Sequence, residues 1–137
     1  KRGSGDVGGV SDQISDFLRG GSSVVFFPEA TTTDGKQIKK IYGKLLQSAL
    51  DTGLPICPVV VAYVDKDGSL SDDAAYYGKR TMADSLRRVA DSKGITAYVL
   101  ALEPIYPNDK TRSELTAELQ KAMEEGLADL HKRVLKA

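Results

Sequence analysis

The run Glu29-Ala30-Thr31-Thr32-Thr33-Asp34-Gly35 sets a carboxylate, three hydroxyls and an Asp-Gly turn directly behind the apolar Val24-Val25-Phe26-Phe27-Pro28. A carboxylate accepts hydrogen bonds and hydroxyls both donate and accept, so this run is equipped to hold a polar substrate. The same residue types are good turn formers, and a solvated carboxylate behind a strand is ordinary. Other groups with chemical potential are scattered. His131, the single histidine, lies in a Lys/Arg-rich stretch near the end of the last helical pattern, where a cation is the structural expectation. Cys57, the single cysteine, falls inside Leu54-Pro55-Ile56-Cys57-Pro58-Val59-Val60-Val61 and reads as a small buried thiol, with no disulfide framework and no cysteine metal cluster. Gly3-x-Gly5-x-x-Gly8 matches the dinucleotide-binding fingerprint in letters, but only Lys1 and Arg2 precede it where that motif needs a strand. Backbone N–H groups near Val10 could hold an anion there, though a flexible loop is the plainer reading. Tyr76-Tyr77-Gly78-Lys79-Arg80 suits a lipid head-group boundary or an ordinary loop.

The elements that must position these groups follow from periodicity. Val10, Ile14, Phe17 and Leu18 recur at helical spacing, with Ser11 as a cap and Gly20-Gly21 as the stop. Ser23 to Phe27 reads as a strand ended by Pro28, which has no N–H for a ladder. Ile41, Leu45, Leu46, Ala49 and Leu50 predict a second helix closed by Gly53, and the β-branched run Ile56 to Val64 predicts a central strand covered on both faces. Asp65 to Asp73 is a loop, Met82, Leu86, Val89 and Ala90 mark a third helix, and Ile95 to Leu102 a third strand. Thr111 and Glu114 have capping-box spacing, ahead of a long helix with the stripe Leu115, Leu119, Met123, Leu127, Leu130 and Val134. Alternation of strands with helices predicts an α/β domain with a largely parallel or mixed central sheet flanked by helices, and ligands of such sheets bind beyond the carboxyl ends of the strands.

At 137 residues the chain fits one domain, residues 1–137, with an ordinary globular composition of 41% apolar and 28% charged residues. Nineteen basic residues balance nineteen acidic ones, which leaves no global field for nucleic acid or an anionic bilayer, so any such attraction is local. No apolar stretch approaches the roughly 18 residues of a spanning helix. A basic, glycine-rich opening without an initiator methionine gives the expectation of an N-terminally incomplete sequence.

The segment Val24 through Gly35 resembles the third sequence block of the glycerolipid acyltransferases, the lysophosphatidic acid acyltransferase-like family. That block reads Phe-Pro-Glu-Gly-Thr; here it is Phe27-Pro28-Glu29-Ala30-Thr31. Leu54-Pro55-Ile56-Cys57-Pro58-Val59 resembles the fourth block, and Lys1-Arg2-Gly3-Ser4-Gly5 the end of the second, in which an arginine after a strand helps bind the acceptor's phosphate. The fork of guanidinium donors suits that task. The resemblance implies a glycerol-3-phosphate acyltransferase-like fold and transfer of a fatty acyl group from acyl-CoA or acyl-carrier protein to the hydroxyl of a lyso-glycerophospholipid or related lyso-lipid. Arg2, Glu29, Ala30 and Thr31 are then the substrate-binding residues. The family's first block, a histidine followed after four residues by an aspartate, supplies the general base and its orienting carboxylate. His131 has Lys136 at the aspartate position, so no catalytic residue is assigned within these residues.

The histidine and aspartate are expected upstream, and the 137 residues by themselves are expected to be inactive. No metal and no cofactor is expected beyond the acyl-CoA or acyl-carrier-protein co-substrate, and no nucleic acid. The expected partners are the lyso-lipid, the acyl donor and a membrane surface, at the cytoplasmic face and peripheral or anchored through an upstream segment. Ala30 replaces the family's usual glycine, which makes a positive φ less expected there. Thr32 replaces a frequent arginine, which removes a positive charge from the acceptor pocket; Lys36, Lys39 and Lys40 could compensate. A similar threonine-rich turn occurs in relatives that acylate other lyso-lipids, lyso-ornithine lipid among them. The competing readings are a non-catalytic lipid-binding or scaffold relative and, more remotely, a dinucleotide-binding domain.

Overall fold

The computed structural model describes residues 7–136. Four helices and two strands follow in the order α1 (Val7–Arg19), α2 (Gln47–Thr52), β1 (Val59–Asp65), α3 (Met82–Asp91), β2 (Ile95–Ala101) and α4 (Arg112–Val134).

Helix α4 organises the rest. Its start is set locally: the Thr111 side chain accepts the N–H of Glu114, and Glu114 Oε2 accepts the N–H of Thr111 at 2.7 Å, the expected capping box. Those bonds, the backbone one foremost, hold the Glu114 carboxyl below its ordinary pKa. Leu115, Leu119, Met123, Leu127 and Leu130 are buried along one stripe and form a single core with Ile41, Leu46, Ala49, Val60, Ala62 and Ile105. Burying side chains of this size stabilises by about 1.5–3 kcal/mol each, so the stripe is the main reason α4 stays on the sheet.

Strands β1 and β2 pair antiparallel, from Val59 opposite Ala101 to Asp65 opposite Ile95. The mixed α/β class expected from the sequence holds, but among the described residues the pairing is antiparallel rather than parallel. Residues 66–94, with α3 among them, leave and return at the same end of the pair. β1 also alternates rather than being covered on both faces: Val60, Ala62 and Val64 are buried toward α4, while Val59, Val61 and Tyr63 are exposed. In step with that alternation Cys57 is exposed, not the buried thiol the apolar run predicts.

Two other expectations change. Residues 22–27 form no strand; Val25 and Phe27 are 86% and 83% exposed, and of this run Phe26 is the residue that packs on the core. The second helix is short, because residues 43–46 form turns before Gln47, although Gly53 closes it as expected, with φ 71° and an N–H to the Ala49 carbonyl. Helix α1 begins three residues earlier than Val10, which puts Ser11 inside it rather than at the cap. Its end follows the sequence: Ser22 N–H reaches Phe17 O and Gly21 N–H reaches Leu18 O, both at 3.0 Å, with Gly21 at φ 82°, a Schellman closure.

Candidate functional site

The loop after Phe27 is built around a tight turn. Pro28 fixes the first corner, and Ala30 N–H closes on Phe27 O at 3.2 Å. Ala30 follows with φ 52°, in the left-handed region that costs an L-residue with a Cβ roughly 1–2 kcal/mol. The expectation that alanine disfavours a positive φ here is therefore corrected: the backbone keeps a conformation that suits glycine, and alanine bears the strain.

This turn is stitched to the segment 39–42. Glu29 Oε2 accepts the Lys39 N–H at 2.6 Å, and Pro28 O accepts the Tyr42 N–H at 3.0 Å. The far side of the same segment is gripped by α4: Gln120 Oε1 accepts the Ile41 N–H at 2.8 Å, and Gln120 Nε2 donates to Lys39 O at 3.2 Å and to Glu124 Oε1 at 2.6 Å. Residues 39–42 thus run as a seam between the Pro28-Glu29 corner and α4, anchored by the buried Ile41. Glu29 is half-buried with one carboxylate oxygen committed to the seam; Thr31 is exposed, with only a 3.5 Å contact to the next carbonyl. Both can meet a polar ligand from the solvent side.

Beyond Thr32 the plainer reading of the loop is the observed one. Thr33 Oγ1 accepts the Gly35 N–H at 3.0 Å and Asp34 Oδ1 accepts the Lys36 N–H at 3.2 Å, so these side chains shape the turn with Gly35 at φ 76°. On the other side of the seam a groove opens between residues 40–47 and the first turns of α4. Lys40, Lys44 and Arg112 line it with Thr116 and Gln120.

The remaining candidates do not converge here. His131 lies eleven residues beyond Gln120 on α4, roughly 16 Å along the axis at helical rise. Its Nε2 is buried without a hydrogen-bond partner, and burial pushes its pKa down, so it favours the neutral form instead of the helix-end cation expected. Arg2 and the glycines Gly3 and Gly5 lie outside the described residues, while Gly8 belongs to α1. Gln120 is the member of the site that the sequence did not reveal; it sits beside an apolar stripe and is separated from Ile41 by 79 positions.

A Phe-Pro-Glu corner held in this way lies within a stretch that the Acyltransferase family model matches, residues 1–62, which also takes in Arg2 and the whole 29–35 loop. The chain belongs to the glycerolipid acyltransferase family. Among its curated relatives is a lyso-ornithine lipid O-acyltransferase of Pseudomonas aeruginosa, 31% identical over 123 residues, which are 90% of this chain and 47% of that protein. A 1-acyl-sn-glycerol-3-phosphate acyltransferase of Neisseria gonorrhoeae is 29% identical over 94 residues, 69% of this chain and 36% of that protein. A lyso-ornithine lipid O-acyltransferase of Rhodobacter capsulatus is 28% identical over 123 residues, 83% of this chain and 44% of that protein. The chain therefore spans less than half the length of each of these relatives. No solved structure matches it significantly.

Proposed function

We propose that the whole protein is an O-acyltransferase that moves a fatty acyl group from a thioester of coenzyme A or acyl-carrier protein to the hydroxyl of a lyso-lipid. The observation that carries this reading is the strained Phe27-Pro28-Glu29-Ala30 corner, held in place through Lys39 by α4 and lying inside the family-matched stretch. Strain kept at an exposed polar corner is a mark of a site, because an unconstrained loop would relax it.

In this scheme Glu29 and Thr31 orient the acceptor, the backbone at Ala30 lets it approach, and Arg2 binds its anionic group. A histidine held by an aspartate, in residues that precede Lys1, removes the proton from the acceptor hydroxyl. Its oxygen attacks the thioester carbonyl carbon, the C–S bond breaks, and the thiolate leaves with the proton the histidine has taken. Neither a metal nor an acyl-enzyme is needed. The relatives named for lyso-ornithine lipid, together with Thr32 in place of an arginine, favour an acceptor other than a simple lysophosphatidic acid. Such substrates imply work at the cytoplasmic face of a membrane.

The fold within this reading is a larger sheet of the glycerol-3-phosphate acyltransferase kind. Support comes from apolar surface that a finished sheet would cover: the exposed Val25 and Phe27, and the open face formed by Val59, Val61, Tyr63 and Val99.

The test is transfer of labelled acyl groups by the full-length protein to lyso-ornithine lipid and to lysophosphatidic acid. Transfer to at least one is expected, with kcat/KM down by at least about ten-fold in Glu29→Ala, in line with the loss of a positioning hydrogen bond to a charged group. No transfer to any lyso-lipid would sink the reading, and unchanged transfer by Glu29→Ala across several acceptors would remove Glu29 from it.

A further inference from the structure

Helix α3 is seated the wrong way round for a globular protein. Ser85 is its buried residue and Arg88 the half-buried one beside it, so its polar side faces the body. Met82, Leu86 and Val89, one turn apart on a stripe that adjoins Ser85 and turns away from Arg88, are 59%, 64% and 47% exposed. The helix is held by charge instead of apolar packing. Arg88 Nη2 bonds Asp72 Oδ2 at 2.6 Å and Asp73 Oδ1 at 2.8 Å, and Arg80 bonds the same Asp72 oxygen at 2.6 Å, which with Tyr77 holds the Asp72 carboxyl below its ordinary pKa. Arg80 also stacks on the Tyr77 ring at 4.5 Å.

Charge around this apolar stripe is sorted. Lys79 and Lys93 flank the helix ends and are exposed; Asp84, Arg87 and Asp91 fall together on the far side of the helical wheel. Between residues 79 and 93 there are five basic residues and two acidic ones, in a chain with no net charge. Asp72 and Asp73 occupy Arg80 and Arg88, and Arg87 meets Asp91 in an exposed pair at 3.5 Å, of the kind that adds little. Tyr76, 40% exposed, adds a ring of the sort enriched at membrane interfaces. At ten residues the helix is about 15 Å long, too short to span a bilayer and suited to lie along one.

We infer that α3 docks this protein on an anionic bilayer surface, with Met82, Leu86 and Val89 inserted at the head-group boundary and Lys79 and Lys93 facing lipid phosphates. The inference rests on the acyltransferase reading, since a lyso-lipid acceptor is met at such a surface. It names the element that reaches it.

The experiment is co-sedimentation of the full-length protein with vesicles of phosphatidylcholine alone and of equal parts phosphatidylcholine and phosphatidylglycerol. Binding is expected mainly to the anionic vesicles, lowered about ten-fold by Leu86→Asp, by the milder Leu86→Ser and by Met82→Asp, with unfolding midpoints unchanged. Lys79→Glu with Lys93→Glu should weaken binding to the anionic vesicles alone. A wild-type protein that stays with the supernatant overturns the inference. So does Leu86→Ser that binds normally, or that unfolds several degrees lower, because then protein and not lipid covers the stripe. Acyl transfer to a detergent-dispersed acceptor needs no docking and separates the two ideas. Docking without transfer removes only the acyltransferase reading, and transfer without docking removes only this one.

Discussion

The Lys39 backbone N–H donates to the Glu29 carboxylate at 2.6 Å, which ties the end of the Phe-Pro-Glu corner to a segment that α4 holds from its other side. In the proposed scheme Glu29 adds to this observed tie a second task, toward the acceptor. Substitutions can separate them. Glu29→Gln keeps an oxygen for Lys39 and loses the charge, whereas Glu29→Ala loses both. We expect Glu29→Ala to cost about 1 kcal/mol of stability and Glu29→Gln clearly less, by chemical denaturation. Acceptor KM should rise in both. If Glu29→Gln restores KM as well as stability, the residue is a loop clamp and nothing more.

Ala30 occupies φ 52° with a Cβ that this region disfavours. Ala30→Gly relieves the strain but gives the unfolded chain more freedom, which takes back about 0.4–1 kcal/mol. A net gain of about 0.5–1 kcal/mol is expected, read as a raised unfolding midpoint, while Ala30→Val should lose at least as much as glycine gains. A lowered midpoint for Ala30→Gly would mean the turn is not strained in solution.

Gln120 satisfies two main-chain groups of residues 39–41 with a single amide. Gln120→Leu leaves the part-buried Ile41 N–H without an acceptor, at an expected cost of about 1–2 kcal/mol. Because the same segment carries the Glu29 bond, acceptor KM should rise with kcat little changed. Unaltered stability and unaltered KM together would show that the seam does not transmit to the corner.

His131 gives a pH dependence with a defined sign. Burial lowers its folded-state pKa below the ordinary 6.5, so between those two values the unfolded chain binds more protons. Stability is then full above about pH 6.5 and falls as the pH drops toward the folded value. His131→Leu should flatten that part of the profile and leave the loss at lower pH, where the lowered carboxyls of Asp72 and Glu114 are protonated. Denaturation midpoints across this range decide it; a slope that survives in His131→Leu must come from another group.

Signals that act over a few residues were readable in the chain. The capping box of Thr111 and Glu114, the apolar stripe of α4, the Gly20-Gly21 and Gly53 stops and the extent of β2 all follow from hydrogen bonds or spacings within one or two turns. The Phe27-Pro28-Glu29-Ala30-Thr31 block was readable too, as a string of residue types that survives whatever the chain does around it. Tertiary structure alone decided the rest. The antiparallel direction of β1 and β2 depends on where residues 66–94 close, and that is a matter of loop geometry, not of strand composition. The exposure of Cys57 and the inverted face of α3 depend on which side of each element finds a partner. The grip of Gln120 on Lys39 and Ile41 joins positions about eighty residues apart, a distance over which no local pattern carries information.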